Sequence, residues 1–164
     1  MKKLHLIRHA KSSWDDFSLE DIERPINNRG VESCRIMAPE IAQVGCGFSN
    51  VYCSAATRAQ QTIEGLSQNL PDMDVQWQLN NDLYTFYSGD LLSWCRALDE
   101  SLSEVVLIGH NPAITDFCND ISGSDIDNVP TCGYIQLAID GIDWCELSSR
   151  SAELLYFLYP KMFK

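Results

Sequence analysis

No window of about eighteen apolar residues occurs anywhere in the 164-residue chain, so no membrane-spanning helix is expected. No secretory leader is expected either. After Met1-Lys2-Lys3 the apolar run Leu4-His5-Leu6-Ile7 stops at Arg8, which is too short for a signal peptide. These absences set a cytoplasmic location as the expectation. The seven cysteines contain no Cys-x-x-Cys pair, are odd in number, and match no usual zinc-ligand spacing. In a reducing compartment they read as small apolar core residues, and no metal site is expected. Basic residues are scarce, with 12 Lys and Arg against 23 Asp and Glu, for a net charge of −11. That balance argues against nucleic acid as a partner. Internal repeats, linkers and low-complexity tracts are also lacking. The length and the 45% apolar content suit one globular domain over residues 1–164.

The few cations are unevenly placed. Between Ala97 and Pro160 the only basic residue is Arg150, and six of the seven arginines lie in the first 96 residues. If several of these converge, they make a local anion site on an acidic molecule.

Short apolar runs and helical periods alternate along the chain. Residues 3–7, 50–53, 75–79 and 105–108 read as strands, with two late strands at 134–139 and 154–158. Helices are expected from about Arg29, through 57–69, 89–99 and 112–121. Asn27 or Asn28 offers the first helix its cap, Pro39 is expected to kink or divide it, and Gly45 and Gly47 end it. The pattern predicts an α/β fold, with helices packed against a largely parallel sheet. In such sheets ligands collect beyond the carboxyl ends of the strands.

Three charged motifs fall at such ends. Arg8-His9 follows the first strand, Ser54-x-x-x-Arg58 leads from the second into a helix, and Gly109-His110-Asn111-Pro112 follows the strongest strand. Asn111 and Pro112 suit an N-cap and a first helical residue, which puts His110 just outside a helix N-terminus. Each motif alone is ordinary surface, turn or cap. Together, two histidines and two arginines suit a dianionic phosphoryl group. Guanidinium forks match its oxygens, one imidazole can attack phosphorus, and the other can donate to the spreading charge.

The chain resembles the histidine phosphatase (phosphoglycerate mutase-like) superfamily, and within it the branch typified by the phosphohistidine phosphatase SixA. The segments that carry the resemblance are RHAKSSWDD (8–16), ERPINNRG (23–30), SAATRAQQT (54–62), LIGHNP (107–112) and VPTCGYIQL (129–137), all in family order. The resemblance implies a three-layer α/β/α sandwich and a single histidine phosphatase domain over 1–164. It implies that His9 is the nucleophile that is transiently phosphorylated. It also implies that Arg8 and Arg58 hold the phosphoryl oxygens and that His110 completes the pocket. Arg24 is a further candidate for substrate binding, with a structural salt bridge as the alternative, and Ser12 for the entrance. No metal or other cofactor is implied. His9 must be neutral at the attacking nitrogen, with its ring oriented through the other; a backbone carbonyl would serve.

Two departures bear on substrate. Ala10 stands where the superfamily signature has glycine. Thr85 stands where a glutamate general acid is found in many relatives, and threonine cannot give up a proton as a carboxylic acid does. Asp15, Asp16 and Asp90 are the candidate substitutes. An alkoxide gains much from protonation, whereas phosphohistidine can leave as neutral imidazole, whose conjugate acid has a pKa of about 6.5. The expected partner is therefore a protein bearing phosphohistidine. A phosphatase of small phosphomonoesters is the alternative, and a non-catalytic binder of phosphorylated ligands is a third reading.

Overall fold

The computed structural model describes residues 1–164. Ten principal elements follow one another: β1 (Lys2–Arg8), α1 (Asn28–Gln43), β2 (Val51–Ser54), α2 (Thr57–Gln68), β3 (Trp77–Asn80), α3 (Ser88–Arg96), β4 (Glu104–Gly109), α4 (Ala113–Ser122), β5 (Tyr134–Ile139) and β6 (Glu153–Leu158). The strands form one sheet in the order β3-β2-β4-β1-β5-β6. Its β3-β2-β4-β1 portion is parallel, while β5 and β6 add antiparallel.

Side chains alternate across the sheet with period two and feed two cores. Leu4 and Leu6 of β1, with Val105 and Leu107 of β4, pack with Phe117 of α4 and Leu91 of α3. Ile7, Val106 and Ile108 point the other way, against Met37 and Ile41 of α1 and Ile63 of α2. Helices thus cover both faces, which is why the central strands read as continuous apolar runs. After β1 the chain turns to one face and after β4 to the other. Because β1 and β4 are neighbours, their carboxyl ends flank a switch point of the kind where α/β sheets bind ligands.

Two local expectations need revision. Pro39 does not divide α1, which runs unbroken from Asn28 to Gln43. Arg35 and Pro39 both lie on the exposed side of the helix, so water can take the Arg35 carbonyl that loses its partner. The fourth helix begins at Ala113 rather than Pro112. Asn111 still serves its first turn, accepting from the Thr115 amide at 3.1 Å and the Thr115 hydroxyl at 3.0 Å. Asn27 caps α1 as expected, its side chain accepting from the Gly30 amide.

Candidate active site

The Arg8-His9 peptide is fixed from both sides. The His9 amide donates to the Gly109 carbonyl of β4 at 3.0 Å. The Cys132 amide donates to the carbonyls of both Arg8 and His9 at 3.0 Å. The next residue, Ala10, is fully buried. Its amide donates to Thr62 Oγ1 at 2.8 Å, and that hydroxyl donates to the Arg58 carbonyl at 2.7 Å. The loop after β1 is therefore pinned to α2, which delivers Arg58 in its first turn.

These anchors bring the four principal sequence candidates together. His9 is 7% exposed, Arg58 2% and His110 1%. The two imidazole rings lie 5.2 Å apart. Arg58 is the hub: its Nε donates to His9 Nε2 and its Nη2 to His110 Nδ1, both at 3.4 Å. Arg8 donates from Nη1 to the Val129 carbonyl at 2.9 Å, and its Nε is buried with no hydrogen-bond partner.

The hydrogen bonds define each histidine's tautomer. His9 Nδ1 lies 2.8 Å from the Ala10 carbonyl, which can only accept, so Nδ1 carries the proton. Nε2 is left with its lone pair on the pocket side, beside Arg58. Burial pushes His9 down to about 4, assisted by the charges of Arg58, Arg8 and Arg24 and opposed by the Ala10 bond. His110 accepts from Arg58 at Nδ1, so its Nε2 donates to Ser54 Oγ at 2.8 Å. Burial and the neighbouring His9 and Arg58 bring His110 to about 3. His9 is thus a neutral imidazole with an unprotonated Nε2, the state a nucleophile requires.

The pocket, about 260 Å³, is lined by Arg8, Lys11, Arg24 and Arg58 with one carboxylate, Asp21. Asp21 was not anticipated from the sequence. Its Oδ2 accepts from Arg58 Nη2 at 3.0 Å and from the Tyr84 hydroxyl. Its Oδ1 accepts from Arg24 Nη2 at 3.2 Å. Partial burial works to raise this carboxyl, but bonds from Tyr84 and Arg58 outweigh it and hold it at about 2. The Asp21-x-x-Arg24 spacing was the one available signal, since it places both side chains on one side of a short turn.

Arg24 makes the salt bridge that was the structural alternative, and its place in the lining keeps it within reach of a bound group. It pairs with Asp21 and also lines the pocket, with its guanidinium 3.6 Å from the centre of the Trp14 ring. Ser12 lines the pocket too, and its hydroxyl accepts from Arg24 at 2.8 Å. The candidate acids do not. Asp15, Asp16 and Asp90 are all absent from the lining. Asp16 is bonded to Ser18, and Asp90 accepts from Thr85 Oγ1 at 2.6 Å. Phe86 and Tyr84 instead pack edgewise or tilted on His110, at 5.4 and 5.3 Å.

Known proteins share this architecture. The chain is similar to SixA structures, among them protein histidine phosphatase SixA complexed with tungstate (19% identity, 99% of each chain covered, TM-score 0.80). Another is a candidate phosphohistidine phosphatase SixA from Agrobacterium tumefaciens (24% identity, 97% and 99% covered, TM-score 0.79). An uncharacterized protein of Mycobacterium tuberculosis is 26% identical over 165 residues, covering 94% of this chain and all of that one. The family model of the histidine phosphatase superfamily (branch 1) matches residues 4–92, which hold Arg8, His9 and Arg58, and the chain belongs to that superfamily and is a phosphatase.

Proposed function

We propose that the enzyme hydrolyses phosphohistidine on proteins through a covalent intermediate on His9. The observation that carries this reading is the state of Asp21. The only carboxylate lining the pocket is held at about 2, so it is ionised at neutral pH and has no proton to give. A site without a carboxylic acid favours a leaving group that departs unaided.

In the first step His9 Nε2 attacks phosphorus in line while the bond from phosphorus to the substrate's imidazole nitrogen breaks. The electron pair stays on that nitrogen. With a proton on its other nitrogen, the substrate histidine leaves neutral. Arg8 and Arg58 hold the equatorial oxygens and neutralise their charge. In the second step water attacks, the bond from phosphorus to Nε2 breaks, and its pair returns to His9. Inorganic phosphate leaves with the water's oxygen. The likeness to SixA structures supports the same substrate class.

A single-turnover assay on a phosphohistidine-bearing protein, in the presence of a chelator, tests the reading. Wild type is expected to release phosphate and His9→Ala to release none. Turnover of an aryl phosphate but not of phosphohistidine would move the substrate to small phosphomonoesters. Phosphate affinity without turnover of either would make the protein a binder.

A further inference from the structure

A second cleft, about 200 Å³, opens beside the catalytic pocket and shares Lys11 and Thr131 with it. Its other cations are Arg29, Lys161 and Lys164, and no carboxylate side chain lines it. That concentration is unusual for this molecule, because four of its 12 basic residues meet in one small cleft while the net charge is −11. The cations come from both ends of the chain. Gly30 lets α1 press against the loop after β1, where a Cβ would lie 2.5 Å from the Lys11 carbonyl oxygen. This brings Arg29 to the same cleft as Lys11, and Ser33 follows one helical turn later. The C-terminal turn, Pro160–Phe163, packs against α1 and adds the lysines.

None of the four cations is in an ion pair within the protein. Glu32 is the carboxylate whose field reaches Lys164, and it is paired with Arg35. Four exposed cations on long side chains, spread over a shallow cleft, exceed what one bound phosphate needs. They suit several carboxylates carried on a surface. Elsewhere the enzyme's own negative charge repels an acidic partner, so this cleft also orients the approach.

We propose that the cleft lined by Lys11, Arg29, Lys161 and Lys164 docks an acidic protein surface flanking the phosphohistidine of the substrate. This rests on the phosphohistidine reading above and adds the chemistry by which the protein partner is recognised. The test compares wild type with the double variant Arg29→Glu/Lys161→Glu on two substrates. One is a phosphohistidine-bearing domain with aspartates and glutamates beside the histidine, and the other is phosphoimidazole. The variant is expected to lower the ratio of kcat/KM for protein over phosphoimidazole about tenfold at low salt, with the gap closing at high salt. An unchanged ratio, or an equal fall on both substrates, overturns the docking assignment and leaves the phosphohistidine reading standing. If wild type turns over neither substrate, that reading fails and the docking assignment falls with it.

Discussion

His5 lies in the middle of β1, and His9 follows the strand's carboxyl end four residues later. Both are buried, and burial pushes both down to about 4. They differ in what the second ring nitrogen meets. His5 Nδ1 is 2.6 Å from the Tyr134 hydroxyl, and its buried Nε2 lies 3.1 Å from Glu104 Oε1 without a hydrogen bond. His9 is anchored at Nδ1 by the Ala10 carbonyl, and its Nε2 accepts from Arg58 Nε at 3.4 Å in a pocket also lined by Arg8 and Arg24. A buried histidine with a lowered pKa is thus no signature of a reactive one. What sets His9 apart is an unprotonated Nε2 in a pocket whose guanidinium groups can hold a phosphoryl group's oxygens.

Substitution breaks this comparison most sharply. His9→Ala should lower phosphatase turnover by at least about a thousandfold and prevent acid-labile phosphorylation of the protein. His5→Leu should leave kcat/KM unchanged while costing about 1–2 kcal/mol of stability, read by denaturant unfolding, as Glu104 and Tyr134 lose a partner. Next in size is Arg58→Ala, expected to reduce kcat/KM about 10²–10³-fold in steady-state assays. Arg58→Lys should recover only part of that, because an ammonium cannot bridge both histidines and Asp21 as the planar fork does.

Smaller effects sharpen the comparison. Asp21→Asn removes the carboxylate that competes with an oxyanion for Arg58 and Arg24. The inhibition constant of inorganic phosphate should fall several-fold, and a constant that rises would instead make Asp21 essential for holding the clamp. The smallest expected signal is in pH. All three histidines sit below the ordinary value of 6.5, so between pH 6.5 and about 4 the unfolded chain binds more protons than the folded one. Stability is therefore full above pH 6.5 and declines as pH falls through that window. Thermal unfolding across it should show the decline, and His5→Leu should make it shallower. Meanwhile the acid limb of kcat/KM set by His9 should lie near pH 4.

Much of this was readable from sequence because it depended on local order. Buried strands such as 105–108 are short apolar runs, and the residues just beyond them must lie at the sheet's carboxyl edge. That logic reached Arg8, His9, Arg58 and His110 without knowledge of the packing. It missed Asp21 and Tyr84, which come from a polar connection and from the turn after β3 and meet only in three dimensions. A search for an acid by loop position went instead to Asp15, Asp16 and Asp90, whose carboxylates lie outside the pocket. Pro39 misled for a related reason, since a rule about isolated helices cannot see which face is wet. The basic cleft was equally invisible, because Lys11 and Lys161, 150 residues apart, come to one cleft only in the folded chain.

The position of β1 sets the order in which this enzyme can come into being. The first strand to be synthesised is flanked by β4 and β5, and the His9 backbone awaits the amide of Cys132. Until most of the chain has emerged, the apolar residues Leu4, Leu6 and Ile7 have neither neighbour to pair with. Folding must then close long loops before its central pairing is rewarded, which slows it and leaves an aggregation-prone edge open in the nascent chain.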